Sequence, residues 1–172
     1  MGMLASVRPC IGGRNRYRPE PALYPQGIQL TGIDFSPAML ALARDRAAEL
    51  GIDVTLMVAD AQQLPFADDR FDTVVCTLAL SSIPDPAAAL NEMYRVLHLG
   101  GQLLVVGHVA SRYRVVRAGQ RRLERLSIRL AGDHQTRQPY PEIVAAGFIV
   151  DRRERRRAGV IERVRAVKPT DL

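Results

Sequence analysis

Two carboxylates occupy matching places in the first half of the chain. Asp34 and Asp60 each follow a short apolar segment, and a helical pattern lies between them. In a sheet of parallel strands both residues would lie at carboxyl ends, where open α/β sheets bind ligands. A carboxylate in that place is suited to accept hydrogen bonds from a vicinal diol. Taken singly, Asp34 could instead stabilise a helix dipole, and Asp60 could belong to a turn.

The elements that must position these acids alternate along the chain. Ser36 can cap a helix that begins at Pro37, and Gly51 can end it. The periodicity predicts strands 28–33, 53–58, 71–78 and 102–108, helices 37–50, 86–97, 112–130 and 139–146, and two late strands, 148–154 and 160–167, which could pair antiparallel. This order predicts an α/β fold with a mainly parallel sheet flanked by helices and an antiparallel C-terminal edge.

The net charge bears on the class of partner. The chain of 172 residues is sized for one domain, with a net charge of +6. Its positive charge concentrates in 112–129 and 152–165, whereas the segment from Asp34 to Asp85 is acidic. Aromatic residues make up 5% and tryptophan is absent, so stacking platforms for nucleic acid are scarce. A nucleic-acid-binding protein that uses the Arg-rich C-terminal half remains an alternative, although we do not expect nucleic acid as the partner.

Cysteines and apolar runs indicate the compartment. Cys10 and Cys76 lie in unrelated contexts without a metal-ligand spacing, so no metal site is expected. Apolar runs such as 74–80 are too short to cross a bilayer, and we find no secretory leader. We therefore expect a cytoplasmic protein.

The N-terminal segment differs from the rest. Residues 1–27 hold four prolines, a Gly12-Gly13 pair and four arginines, without a strand or helix period. We therefore predict an irregular arm over 1–27 and a single domain over 28–172.

Four motifs carry a resemblance. They are Leu30–Arg44, Val58–Phe66, Phe71–Thr77 and Glu92–Leu104. In this order and spacing they resemble the class I S-adenosylmethionine-dependent methyltransferases, from about residue 23 to the C terminus. Within that family the chain looks like the small enzymes that methylate lipids, quinones or other small molecules. The resemblance implies a Rossmann-like fold, S-adenosyl-L-methionine as cofactor and a small-molecule or lipid-like acceptor.

The resemblance also implies which residues hold the cofactor. Asp34 would accept the ribose hydroxyls, with Phe35 beside it. Asp60 and Ala61 would hold the adenine edge. Thr77 and Leu78, at the end of a strand, would lie under the methionine part and the sulfonium.

One part of the family pattern is missing. The family carries a first strand and a Gly-rich loop of the type Val-Leu-Glu-Val-Gly-x-Gly-Thr-Gly, and the chain has no such sequence, so we expect its first strand to be absent. Codons for Arg8–Pro21, read one base forward, permit Gly-Arg-Val-Leu-Glu-Val-Gly-Thr-Gly-Thr-Gly-Arg-Asn-Leu. We therefore predict that the N terminus is read out of frame, through a frameshift near Ala22. The alternative is a truncated, catalytically impaired relative.

Candidates for acid–base chemistry and for acceptor contact lie in the second half. His108, Asp133 and His134 could deprotonate an acceptor, or could merely hydrogen-bond loop backbone. The segment 112–130 predicts a basic amphipathic helix, which could contact an anionic membrane peripherally or pack on the sheet as a lid. The sequence does not indicate the acceptor, the methylated atom or the oligomeric state.

Overall fold

The computed structural model describes residues 2–6, 28–110, 139–156 and 160–170. Its strands are β1 (Gly2–Ser6), β2 (Gln29–Asp34), β3 (Val54–Val58), β4 (Phe71–Thr77), β5 (Leu97–His108), β6 (Ile149–Arg156) and β7 (Ile161–Val167). Its helices are α1 (Pro37–Leu50), α2 (Pro86–Val96) and α3 (Pro139–Ala145). The predicted helix 112–130 lies outside the described residues.

The strands of the described chain form one sheet. Its order is β3-β2-β1-β4-β5-β7-β6. The first five strands in chain order pair in parallel, and β7 pairs antiparallel with both β5 and β6. The predicted α/β class is confirmed, including the antiparallel C-terminal edge. Because β1 to β5 are parallel, their carboxyl ends share one edge of the sheet. We call this edge, formed by the ends of β2, β3, β4 and β5, the carboxyl edge.

The prediction that the first strand is absent is wrong. For residues 2–6, the prediction of an irregular arm over 1–27 is wrong as well, because these residues form β1. Gly2–Ser6 lies between β2 and β4 and pairs with both; Leu4, for example, is opposite Thr31 on one side and Val74 on the other. The five-residue run is too short to show a period in the sequence. Its place follows from the backbone groups of β2 and β4, since each of these strands needs a hydrogen-bonding neighbour on its inner side.

Local capping explains both long helices. Ser36 caps α1 and Asp85 caps α2, each through a side chain that accepts a backbone N–H three residues on. A proline follows each cap, where its fixed φ suits the first turn. Helix α1 ends at Gly51, which has φ +63°, a left-handed conformation that favours glycine.

The core lies between the sheet and α2. This helix buries one face, made of Ala89, Leu90, Met93 and Val96. Leu97 is buried as well, but it begins β5, so that the chain turns from helix to strand without a separate loop. Gly100, with φ +76°, then lies inside β5 where the register with β4 shifts.

Candidate functional site

Asp34 is the last residue of β2 and lies at the carboxyl edge. Its side chain is well packed, with the residue 7% exposed. One carboxylate oxygen, Oδ1, accepts the backbone N–H of Ser36 at 2.8 Å. Among the described residues, no hydrogen bond reaches its second oxygen. Asp34 therefore has a fixed orientation and, in the described part of the chain, an oxygen that keeps its capacity to accept.

Asp60 repeats this local geometry on the neighbouring strand. Its Oδ1 accepts the backbone N–H of Gln62 at 2.9 Å, as Asp34 does from Ser36. The Gln62 side chain also donates to both carboxylate oxygens, at 3.0 and 2.9 Å. Asp60 is thus a turn residue as well as an exposed acid. A carboxylate has about four acceptor sites, so these three bonds leave it able to accept from a ligand.

The backbone brings the two acids to adjacent places. Asp34 is in register with Val58 on the parallel strand β3, and the N–H of Ala59 donates to the carbonyl of Asp34 at 3.2 Å. Asp60 is the next residue after Ala59 in the chain. The sequence prediction that both acids lie at the carboxyl ends of neighbouring strands is confirmed by this pairing.

Two residues beside the acids differ in their surroundings. Phe35 is 70% exposed, an unusual state for a large aromatic side chain. Ala61 is half-buried and, with Ile33 and Met93 among others, lines an apolar cavity of about 20 Å³. A cavity of this size holds about one water molecule. A nucleoside cannot fit inside this cavity.

Thr77 and Leu78 lie at the end of β4, as predicted. Leu78 has φ +54°, which is rare for a residue with a branched side chain, and its N–H donates to the carbonyl of Val106 in β5 at 2.6 Å. Backbone strain of this kind concentrates at functional sites. No local pattern of residues signals this strain, because φ at this position depends on the contact between β4 and β5.

Of the three candidate acid–base residues, one belongs to a described strand. His108 ends β5 and stands opposite Ile161 of β7, which places its backbone at the carboxyl edge. Asp133 and His134 lie outside the described residues. The structure therefore brings Asp34, Phe35, Asp60 and Ala61 together around the ends of β2 and β3, and Thr77 and Leu78 two strands away from β2.

Two residues of α2 that belong to no site motif in the sequence contact the segment after Asp60. They are Arg95 and Glu92, which bind the segment Leu64–Asp68 by hydrogen bonds, and Nε of Arg95 lies 2.7 Å from Oε1 of Glu92. Arg95 holds the pKa of the Glu92 carboxyl below its usual range, chiefly through their side-chain hydrogen bond. The signal in the sequence was the spacing of three between an acid and an arginine, which is common on helix surfaces.

Four arginines of β6 are paired with acids. Arg153 and Arg155 both reach Oε1 of the buried Glu162, at 2.8 and 2.7 Å, while Arg152 and Arg156 pair with Glu154. Arg153 also lies over the ring of Tyr140 at 4.2 Å. Arginines held this way have less capacity for phosphate, which weakens the nucleic-acid alternative for this strand.

Two further properties concern the described residues alone. They contain no cluster of three or more side chains able to hold a metal ion. Within the same ranges, no helix has the length and apolar character needed to cross a membrane.

Comparison with known proteins decides the family. Residues 13–105, more than half of the chain, match the family model described as a methyltransferase domain. The chain belongs to the methyltransferase-domain family. This confirms the resemblance read from the four motifs.

Two relatives of this methyltransferase-domain chain are named for a lipid and a quinone as the molecules they methylate. It is 42% identical over 90 residues to a phosphatidylethanolamine N-methyltransferase of Cereibacter sphaeroides, and 44% identical over 80 residues to a demethylmenaquinone methyltransferase of Thermus thermophilus. These alignments cover 51% and 46% of the chain, but only 44% and 36% of the relatives. The chain thus spans less than half the length of the curated relatives it matches.

A solved structure confirms the fold of the methyltransferase-domain chain. A SAM-dependent methyltransferase from Methanosarcina mazei superposes with a TM-score of 0.68 at 21% identity. The superposition covers 99% of this chain and 93% of the other. At this identity the likeness concerns the fold, a sheet of Rossmann-like type flanked by helices.

Proposed function

We propose that this protein is an S-adenosyl-L-methionine-dependent methyltransferase that acts on a small-molecule or lipid-like acceptor. The observation that carries the proposal is the pair Asp34 and Asp60, two carboxylates oriented in the same way at the ends of neighbouring strands in a chain of the methyltransferase-domain family. The chemistry of this pair fits a nucleoside, which offers ribose hydroxyls and a base amino group as donors.

The residues around the pair suit the separate parts of such a cofactor. Asp34 would hold the ribose through its second oxygen while Ser36 fixes the first. Asp60 and Ala61 would hold the adenine edge, and the exposed Phe35 would gain apolar cover from the bound nucleoside. Thr77 and Leu78 would lie under the methionine part, where the strained Leu78 keeps the backbone in one conformation. The proposed site thus combines carboxylate oxygens that accept hydrogen bonds with apolar side chains, and both suit a neutral nucleoside.

The protein's contribution to methyl transfer is chiefly geometric. When bound, the cofactor supplies a methyl group on a sulfonium, which is already activated for in-line displacement. The chain must align the acceptor and keep water away from the site. If a proton has to be removed, His108, Asp133 and His134 are the proposed bases, because they follow β5 at the carboxyl edge or in the segment after it.

A second candidate rests on one specific observation. The chain lacks the Gly-rich loop that the family places after its first strand. With only the nucleoside end of the cofactor held, the chain would be a catalytically impaired relative. The difference between the two candidates is the affinity for the methionine part.

Calorimetric titration separates the candidates. The chain and a frame-restored version would each be titrated with S-adenosylmethionine and with S-adenosylhomocysteine. We expect weak binding by the chain as written and tighter binding by the restored version. Absence of binding by both folded proteins would refute the cofactor assignment. Equal and tight binding would show that the loop has no functional weight here.

The acceptor class is inferred from the relatives and from 112–130. Two relatives are named for a phospholipid and a quinone, both lipid-like molecules. The arginines of 112–130 would attract anionic headgroups, and its apolar residues would enter the interface. We therefore propose peripheral contact with an anionic membrane while a lipid-like acceptor is bound.

A further inference from the structure

Arg95 binds four separate residues with its three guanidinium nitrogens. Nη1 donates to the carbonyl of Phe66 at 2.8 Å and to Asp68 at 2.7 Å. Nη2 donates to the carbonyl of Leu64 at 3.1 Å, and Nε and Nη2 both reach Glu92, at 2.7 and 2.8 Å. A planar fork with five N–H donors can satisfy this set, whereas an ammonium cannot.

Glu92 also binds the backbone of Leu64. Its Oε2 accepts the backbone N–H of Leu64 at 2.7 Å. Both backbone groups of Leu64 are therefore held by side chains of α2, the N–H by Glu92 and the carbonyl by Arg95. The side chain of Leu64 is buried in the core. This residue therefore cannot shift without breaking bonds on two sides.

The same segment is tied to α2 at its other end. The Gln62 carboxamide donates to Asp60 and accepts the N–H of Asp85, the cap of α2, at 2.9 Å. The segment 60–66 thus contacts the start of α2 through Gln62 and its later turns through Leu64 and Phe66. The orientation of Asp60 depends on both contacts, because Gln62 lies between Asp60 and Leu64 in the chain.

We propose that Arg95, with Glu92, is a positioning residue that sets the adenine selectivity of the site by holding segment 60–66 so that Asp60 faces the base. This inference rests on the proposed function. Arg95 itself touches no ligand; it acts through Leu64 and Gln62. A carboxylate held in this way accepts from the amino group of adenine and disfavours a base with a carbonyl oxygen in its place.

The test compares two ligands that differ at that group. S-adenosylhomocysteine and S-inosylhomocysteine would be titrated into the full chain and into Arg95→Lys, which keeps the charge and loses the fork. We expect the preference for the adenine ligand to fall by about tenfold in the variant, the value of one hydrogen bond. Glu92→Gln should lower this preference less, because its amide oxygen can still accept the N–H of Leu64. If Arg95→Lys does not fold, Glu92→Gln is the variant that tests the inference.

Two control variants separate positioning from charge and from general stability. Asp68→Asn removes one ion pair of Arg95 at an exposed side chain without touching the backbone contacts. Arg44→Lys repeats the chemical change at an exposed site on α1. Both should keep the selectivity of the unmodified chain. A loss of selectivity in either equal to that in Arg95→Lys would overturn the positioning role.

A measurement without ligand distinguishes the failure of this inference from the failure of the proposed function. Backbone hydrogen exchange over 60–66 should be faster in Arg95→Lys than in the unmodified chain, with exchange in β2 unchanged. Unchanged exchange over 60–66 would overturn the inference whether or not ligand binds. Faster exchange with an unchanged ligand preference would overturn the selectivity role. If neither the unmodified chain nor its frame-restored version binds either ligand, the proposed function fails, and with it the selectivity role.

Discussion

Lys168 and Asp69 join the end of β7 to the start of β4. Nζ of Lys168, just after β7, donates to Oδ1 of Asp69, just before β4, at 2.8 Å. The same ammonium donates to the carbonyl of Leu97 at 2.8 Å and lies 4.9 Å from the ring centre of Tyr94. Lys168 is buried, and its bonds hold the pKa of Asp69 below its usual range. A buried cation is tolerated here because it contacts a carboxylate, a backbone carbonyl and an aromatic ring.

Replacement of Lys168 by methionine tests this contact. The variant keeps the length of the side chain but leaves the buried carbonyl of Leu97 without its donor. We expect the free energy of unfolding to fall by about 1–3 kcal/mol, the cost of an unsatisfied buried group. Denaturant titration measures it, with the exposed Arg163→Met as control. Equal stability of the two variants would show that the Lys168 contacts contribute nothing.

The Glu92–Arg95 pair predicts a pH dependence of stability. The pKa of Glu92 in the folded protein is lowered, first by the hydrogen bond from Arg95. Its contribution is therefore fully present above the pKa of an unfolded glutamate and is lost as the pH falls through the lower pKa of the folded protein. We expect Glu92→Gln to be less stable than the unmodified chain at pH 7, with a difference that narrows by pH 3. A difference that stays constant over this range would contradict the assignment.

Asp34 and Asp60 should contribute unequally to cofactor binding. Asp34→Asn keeps an oxygen for the N–H of Ser36 but removes the charge that would hold the ribose. We expect a loss of about 1.5–3 kcal/mol of binding free energy, measured by calorimetry on the frame-restored protein. Asp60→Asn should lower the binding free energy less, because the Gln62 side chain already donates to both carboxylate oxygens of Asp60. If Asp34→Asn lowers stability and leaves affinity intact, Asp34 is a structural turn residue.

Two segments are predicted to compete for the centre of the sheet. In the chain as written, Gly2–Ser6 occupies that place; in the frame-restored chain, the sequence Val-Leu-Glu-Val should take it. Leu4→Pro removes a backbone donor between β2 and β4, so it should strongly destabilise the chain as written and leave the restored chain unaffected. Thermal unfolding of the four proteins provides the comparison.

The gene itself gives the independent check. Codons that fail to yield the Gly-rich loop in the shifted frame would end the frameshift hypothesis. In that case Leu4→Pro would remain a test of β1 alone.

Vesicle sedimentation tests the membrane contact proposed for 112–130. The unmodified chain should bind anionic vesicles at low salt, and the binding should fade as salt screens the charges. Replacement of Arg117, Arg121 and Arg125 by glutamine should abolish it. Under the lid hypothesis, sedimentation is negligible before and after the change. Failure of the unmodified, folded chain to bind would leave only a small soluble acceptor.

Local patterns in the sequence determined most of the site's framework. The predicted helix 37–50 matches Pro37–Leu50, since Ser36, Pro37 and Gly51 mark its ends by their own capping chemistry. The same holds for Asp34 and Asp60, because a residue that ends a parallel strand, or follows it within two residues, lies at the carboxyl edge of the sheet. Capping and periodicity act over a few residues and can be read without a structure.

Tertiary structure alone decided three other features. Gly2–Ser6 becomes the central strand because β2 and β4 need a neighbour, not because of any period of its own. In the sequence, Arg95 and Glu92 have the spacing of an ordinary surface pair, and only folding lets them bind the two backbone groups of Leu64. Lys168 is buried only because β7 lies beside β5. Each of these contacts joins residues far apart in the chain, and their energies depend on burial and on partners that no local pattern of residues encodes.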